Sequence, residues 1–459
     1  MAKKQAVVLI HGIGEQIPME TLRGFVDAVW SKDTAIHHPY GAPTVWSKPD
    51  DISGSFELRR LTTGRNRAEV RTDFFEFYWA YLGRDTRMAQ VTAWLRLLVL
   101  RPPSRIPAPL RPIWWLLAGS VLAVLVTLYA YGMPKPGDWI PVPAGAIGLA
   151  GGLLSALAGG FLVKYIGDAA RYLHGAPDNV EHRQKIRTKG VELLKKLQDS
   201  GQYQRILVVG HSLGSVIGYD ILTYLWATRL ERPPAGAEPQ TAALDRLVEL
   251  ARAEPFDAAT YRQAQGAYLK ELQANGSPWL ITDFITLGSP LAYAGLLLAK
   301  GPEDLAARQA DRELPTCPPA LEDTREGRTF AHRSSGWRGA RWIPHHAAPF
   351  APTRWTNLYF PTRFLVRGDP IGGPLAPVFG QGIRDLAVQT PVRRGFFGHT
   401  RYWTLAGQGE ATSAVVELRR ALDLAGDQGT IAAEGAIDDT GGGAVGGALG
   451  GAADGPDAG

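Results

Sequence analysis

A chain of 459 residues, 45% hydrophobic and 20% charged, is too apolar for a disordered polymer and long enough for one large domain with insertions or two smaller ones. Its single cysteine, Cys317, excludes an intrachain disulfide, offers no metal-binding pair and fits a reducing compartment. The net charge of +5 is uneven, because seven of the 44 acidic residues and none of the 49 basic ones follow Arg420. The basic body suits an anionic membrane surface; with no nucleic-acid motif and no dense Lys/Arg run, nucleic acid is not an expected partner.

Lys3 and Lys4 precede an apolar run, Ala6–Ile10, that is too short for the core of a signal peptide and lacks a cleavage site. It predicts a buried strand, with His11-Gly12-Ile13-Gly14 as the loop leaving it. Thr21–Trp30 predicts a helix, and Phe56–Leu61 and the aromatic-rich Val70–Tyr81 predict strands. Residues 1–90 thus read as the first part of a folded domain, and 91–175 as an insertion of different composition.

Within that insertion Ile113–Tyr131 has nineteen residues without a charge, and Trp139–Val163 has twenty-five more after a short loop with Pro134, Lys135, Pro136 and Asp138. Their length and aromatic ends predict a hairpin of two transmembrane helices, at about 113–131 and 141–163, in preference to a buried helical hairpin. Gly148, Gly152, Ala156 and Gly160 recur every fourth residue of the second run, a small-residue stripe that permits close helix contact. Arg96, Arg101, Arg105 and Arg111 precede the runs and Lys164, Arg171, Arg183, Lys185, Arg187 and Lys189 follow them, whereas the loop carries only Lys135 against Asp138. Positive flanks mark the cytoplasmic side, so both ends of the hairpin and the main domain are expected there.

Residues 176–425 read as the remainder of the domain. Val191–Gln198 predicts a helix, Arg205–Val209 a strand, Val216–Ala227 a helix and Leu280–Leu287 a strand. Residues 230–278 read as a mainly helical insertion and 300–350, rich in Pro, Arg and Trp, as an irregular cap. Thr356–Phe360 predicts a late strand and Glu410–Leu424 an amphipathic last helix; the acidic, Gly/Ala-rich tail of residues 426–459 is expected to be disordered. Strands alternating with helices predict an α/β fold with a mainly parallel central sheet flanked by helices.

Gly210-His211-Ser212-Leu213-Gly214 fits the pattern G-x-S-x-G, between the strand residues Ile206-Leu207-Val208-Val209 and a helix. A chain that turns from strand to helix this sharply exposes the serine hydroxyl at the bend, and the flanking glycines remove side chains that would collide there. On these residues, together with His11-Gly12 after the first strand and Thr286-Leu287-Gly288-Ser289-Pro290 after a later one, the sequence resembles the α/β-hydrolase superfamily, in particular its lipase- and esterase-like members. The resemblance covers roughly residues 5–80 and 185–425.

It implies a catalytic triad in the order Ser, acid, His, with Ser212 as nucleophile. His11, His37, His38, His174, His182 and His211 then come too early to be the base, leaving His332, His345, His346 and His399. His399 directly precedes the last helix and follows a good acid candidate; His345-His346 sits in the irregular segment. The acid chosen is Asp369, in Arg367-Gly368-Asp369-Pro370, at the end of an expected strand with the apolar residues Phe364-Leu365-Val366, with Asp385 second. The oxyanion hole is expected from the backbone N–H groups of Leu213 and Ile13.

The implied function is a membrane-anchored serine esterase or lipase-like hydrolase that cleaves a carboxylic ester, with a lipid-like acyl substrate expected from the membrane runs and basic body. The mechanism calls for no metal and no cofactor; the sequence has no Walker-type Gly-Lys-Ser/Thr and no zinc-ligand cluster. An acyltransferase using the same triad, and an idle membrane scaffold with the same fold, are the alternatives.

Overall fold

The computed structural model describes residues 4–12, 17–37, 43–83, 177–229, 240–324, 327–336, 339–362, 368–389 and 398–425, with a few single positions between 102 and 172. Its centre is an eight-stranded sheet. The strands are β1 (Lys4–Ile10), β2 (Val45–Pro49), β3 (Arg59–Arg65), β4 (Arg71–Phe77), β5 (Arg205–His211) and β6 (Ile281–Leu287). Two short pairs follow, β7 (Glu322–Thr324) with β8 (Gly327–Thr329) and β9 (Ala331–Gly336) with β10 (Gly339–Pro344), before β11 (Arg354–Tyr359) and β12 (Arg384–Ala387). In space the order is β12-β11-β6-β5-β1-β4-β3-β2. The run from β12 to β4 is parallel, and β3 and β2 close that edge as antiparallel strands.

Strands covered on both faces are apolar throughout rather than in alternation, which explains Val7-Val8-Leu9-Ile10 and Ile206-Leu207-Val208-Val209 at the sheet's centre. Successive side chains still point to opposite faces. Val8, Ile10, Ile206 and Val208 enter one core with α2 (Pro177–Asp199) and α3 (Leu213–Arg229). Val7, Leu9, Leu207 and Val209 enter the other with α1 (Glu20–Val26), whose last turn continues as a wider π-helical turn over Asp27–Ser31, and with the last helix among the described residues (Ser413–Leu422). Strands before residue 84 and strands after residue 176 pair directly, β1 with β5, so the intervening segment is an insertion into one sheet.

Several boundaries differ from expectation for local reasons. The helix expected at 191–198 begins at Pro177, because its first half is polar and lacks the apolar repeat that marks a helix in sequence. The strand β2 went unseen, as it is short and mostly exposed at the sheet edge. The 230–278 insertion holds α4 (Ala242–Arg252) and α5 (Ala258–Ala274). Residues 300–350 are more regular than an irregular cap: they contain α6 (Pro302–Ala310) and the two strand pairs β7–β8 and β9–β10. Helix α7 (Ser413–Leu422) is three residues shorter at its start than expected, since the Thr412 hydroxyl caps it by accepting from Val415 N–H.

Of the expected membrane span 113–131 only Trp114, Trp115, Ala118, Gly119, Leu122, Val126 and Tyr129 are described, each helical; the span 141–163 and the tail 426–459 lie outside the described residues. Among the described residues no helix is long and apolar enough to cross a membrane.

Candidate active site

Ser212 is the single residue between the end of β5 and the start of α3, and its φ of 54° is a conformation that non-glycine residues rarely adopt. The bend is held by Ser212 N–H donating to the Leu287 carbonyl at 2.9 Å and by its own carbonyl accepting from Ser215 N–H at 3.0 Å. Crowding explains the two glycines beside it. A Cβ at Gly214 would lie 2.2 Å from the Ile10 carbonyl oxygen, and one at Gly210 would lie 2.5 Å from Ser215 Cα. Helix α3 can therefore start directly over the carboxyl end of β1.

Loops from the far half of the sheet bring two further groups to this bend. The Ser212 hydroxyl is 2.7 Å from His399 Nε2, and His399 Nδ1 is 2.9 Å from each carboxylate oxygen of Asp369. An imidazole that donates Nδ1–H to a carboxylate presents Nε2 as an acceptor, which is the orientation needed to take a hydroxyl proton. All three side chains are buried. Asp369 leaves the loop after β11; its Oδ1 also accepts from Ile371 and Gly372 N–H at 2.9 and 3.1 Å, and its Oδ2 from the Tyr402 hydroxyl at 2.7 Å. Burial alone would raise its pKa, but the attraction of His399 and these hydrogen bonds together hold the carboxyl below its ordinary value.

The sequence-predicted residues Ser212, Asp369 and His399 thus form one continuous hydrogen-bonded chain. The stretch 364–366 that was expected to carry Asp369 as a strand lies outside the described residues, and Asp369 N–H instead bonds the Phe360 carbonyl at 3.2 Å. Asp385, the second acid candidate, is elsewhere occupied: it accepts from Asn357 Nδ2 at 2.7 Å and from the N–H groups of Leu375 and Ala376, fixing the turn there. His345 is also committed, donating Nε2–H to the Ala320 carbonyl at 2.9 Å while Nδ1 accepts from Ala347 N–H at 3.1 Å. His346 lies 3.2 Å from the Arg312 carbonyl.

Of the expected oxyanion donors, Leu213 is the first residue of α3, where no preceding helical turn can accept its N–H. Ile13 lies outside the described residues. Its neighbour Gly12 does reach Ser212: a Cβ there would stand 2.9 Å from Ser212 Cβ and 3.1 Å from His211 Nδ1. His11 builds this loop. It donates Nδ1–H to the Gly12 carbonyl at 2.8 Å, accepts at Nε2 from Trp79 N–H at 3.3 Å, and stacks on the Trp79 ring at 5.2 Å. Burial lowers its pKa to about 4, with the Gly12 bond in partial opposition, which keeps it neutral.

Two contributors were not assigned from sequence. Tyr402 buttresses Asp369 while also accepting from Phe360 N–H at 3.2 Å. His211 donates Nε2–H to the His399 carbonyl at 2.7 Å, and burial, then repulsion from His399, lowers its pKa to about 3. The signals were present: Tyr402 follows His399 by three residues, and His211 precedes the serine directly. Neither reveals its partner without the fold. Cys317 is buried beside Gln265 of α5 and the Phe350 carbonyl; desolvation, opposed by Arg262 and Gln265, pushes its thiol up to about 12.

Comparison of the chain with protein-family models, with curated proteins and with solved structures gave no match.

Proposed function

We propose that this chain is a membrane-anchored serine hydrolase of the α/β-hydrolase type that cleaves carboxylic esters with a lipid-like acyl group. The observation that carries the reading is the hydrogen-bonded line from Ser212 Oγ through His399 to Asp369, with Ser212 held at positive φ on a strand-to-helix bend. The order of these residues along the chain, and the parallel sheet beneath them, agree with the resemblance.

In this reading His399 Nε2 takes the Ser212 proton as Oγ attacks the acyl carbonyl, and the carbonyl oxygen becomes an oxyanion facing Leu213 N–H. Asp369 stabilises the imidazolium and keeps its ring oriented. Collapse expels the alcohol, which receives the proton from His399, and leaves an acyl ester on Ser212. Water activated by the same imidazole attacks that ester, releases the carboxylic acid and restores the hydroxyl. The two uncharged runs and their basic flanks support anchoring with the catalytic domain on the cytoplasmic side.

The test is turnover of a soluble short-chain ester by the purified full chain and by Ser212→Ala. Loss of a serine nucleophile costs on the order of a million-fold in kcat in a comparable triad. A folded Ser212→Ala protein with near-normal turnover overturns the mechanism.

A further inference from the structure

Both ends of the uncharged insertion are tied to the same end of the sheet. The parallel strands β1, β4 and β5 finish side by side, Ile10 being paired with Phe77 on one side and Gly210 on the other, and Ser212 lies just beyond that edge. The chain departs for the insertion from here, through the turn Ala80–Gly83 that follows β4. It returns through α2, which runs back along the sheet: its far end joins β5 by a turn in which Gln204 N–H bonds the Lys4 carbonyl, at the opposite edge. A Cβ at Gly190 would lie 3.3 Å from the Phe77 ring. The turns of α2 before Gly190, about 20 Å of helix at 1.5 Å per residue, therefore carry the chain past the Ser212 end.

Apolar side chains are exposed along this path. Ile17, after the loop that reaches Ser212, is 67% exposed, and Tyr81, in the departing turn, is 48% exposed and stacked on Tyr78 at 6.0 Å. Tyr78 in turn lies 5.3 Å from the His11 ring. Within the insertion Trp115, Leu122, Val126 and Tyr129 fall on one helical stripe, each more than half exposed. Four large apolar groups on one exposed helical stripe are what contact with lipid would cover.

We infer that the carboxyl end of the sheet, with Ile17 and Tyr81 at its rim, is turned toward the bilayer, so that the acyl substrate is an amphiphile taken from the membrane rather than a soluble ester. This rests on the hydrolase and anchoring readings above and adds to them an orientation and a source of substrate. In sequence, Arg101, Arg105 and Arg111 precede the runs and Lys164 and Arg171 follow them, charges that an anionic lipid surface attracts.

Orientation can be read without catalysis. Ile17→Cys and Gln202→Cys, each carrying an NBD fluorophore, are reconstituted as the full chain in phosphatidylcholine/phosphatidylglycerol vesicles containing doxyl lipids. Gln202 is exposed at the opposite edge of the sheet, and buried Cys317 does not compete for label. Quenching several-fold stronger at position 17 than at 202 is expected. Equal quenching, no quenching in protein that floats with the vesicles, or failure to float overturns the inference. A second arm compares Ile17→Asp and Tyr81→Glu on a long-chain ester in the bilayer and on a soluble short-chain ester. A loss of ten-fold or more confined to the bilayer substrate is expected, and an equal effect on both substrates overturns the claim about substrate source. If the quenching pattern holds but neither ester is cleaved, the hydrolase reading falls while the orientation stands.

Discussion

The hydroxyl of Tyr402 is a sensitive handle on Asp369, the proposed acid. Tyr402→Phe keeps the ring stacked on Phe360 at 4.5 Å and its packing beside His211, and removes a single atom with two bonds: the 2.7 Å donation to Asp369 and the 3.2 Å acceptance from Phe360 N–H. A hydrogen bond to a charged group contributes about 1.5–3 kcal/mol, and a buried N–H left without a partner costs about 1–3 kcal/mol, so a stability loss of about 2.5–6 kcal/mol is expected. If only the Asp369 share appears in the transition state, kcat/KM falls about 10- to 150-fold at about 1.4 kcal/mol per decade. The pH dependence has a definite sign. Asp369 sits below the ordinary carboxylate value, so its stabilisation is present above that value and is lost as pH falls through the depressed one. With one donor gone the depression is smaller, so the stability gap between the two proteins is full at neutral pH and narrows below about pH 4. Urea unfolding of both proteins across that range, with ester kinetics at neutral pH, measures every part of this. Unchanged kcat/KM together with unchanged stability, or a gap that widens in acid, refutes the buttressing role.

Three other outcomes follow from the same contacts. Asp369→Asn keeps the shape of the acid but favours the wrong imidazole tautomer, and kcat for a soluble ester should fall on the order of ten thousand-fold, as in a comparable triad; a drop under ten-fold would mean that another group orients His399. Gly12→Ala places a methyl 2.9 Å from Ser212 Cβ, and with Ser212 displaced the proposed reaction should lose about a hundred-fold in kcat, with circular dichroism unchanged. Glu76 is buried, accepts from Met19 N–H at 2.7 Å, and is raised by desolvation to about 7 from 4.5, the Met19 bond opposing. Its stabilisation is full below pH 4.5 and is lost as pH rises through 7, by about 3 kcal/mol, so the stability of Glu76→Gln measured by urea unfolding should gain on the native chain by that order between those pH values, and a parallel pair of curves would contradict it.

The strand-to-helix bend at Ser212 was legible because its information is local. Four apolar residues, two glycines and a serine dictate a strand, a tight turn and a helix within ten positions, and the fold adds only the reason for each glycine: the β1 carbonyl under Gly214 and α3 under Gly210. His399 and Asp369 were legible through order, not through local structure, since both sit in loops whose conformation depends on bonds to distant strands. Tyr402 and His211 were overlooked because their partners, Asp369 Oδ2 and the His399 carbonyl, are 33 and 188 residues away. The segment 300–350 misled for the opposite reason. Its strands are three to six residues long and carry charges and glycines, so neither the period-two pattern nor composition distinguishes them from loop. The central parallel strands escaped that ambiguity because both faces are buried and the apolar runs are uninterrupted.

The central claim is that Ser212 is a nucleophile activated by His399, and a covalent adduct tests it most directly. The full chain is incubated with a fluorophosphonate probe, digested, and the modified peptide mapped by mass spectrometry. One adduct is expected, on the peptide containing Gly210-His211-Ser212-Leu213-Gly214, formed far more slowly in His399→Ala and absent in Ser212→Ala. Labelling that persists undiminished in Ser212→Ala, or a native chain that takes up no probe while folded, would contradict the account.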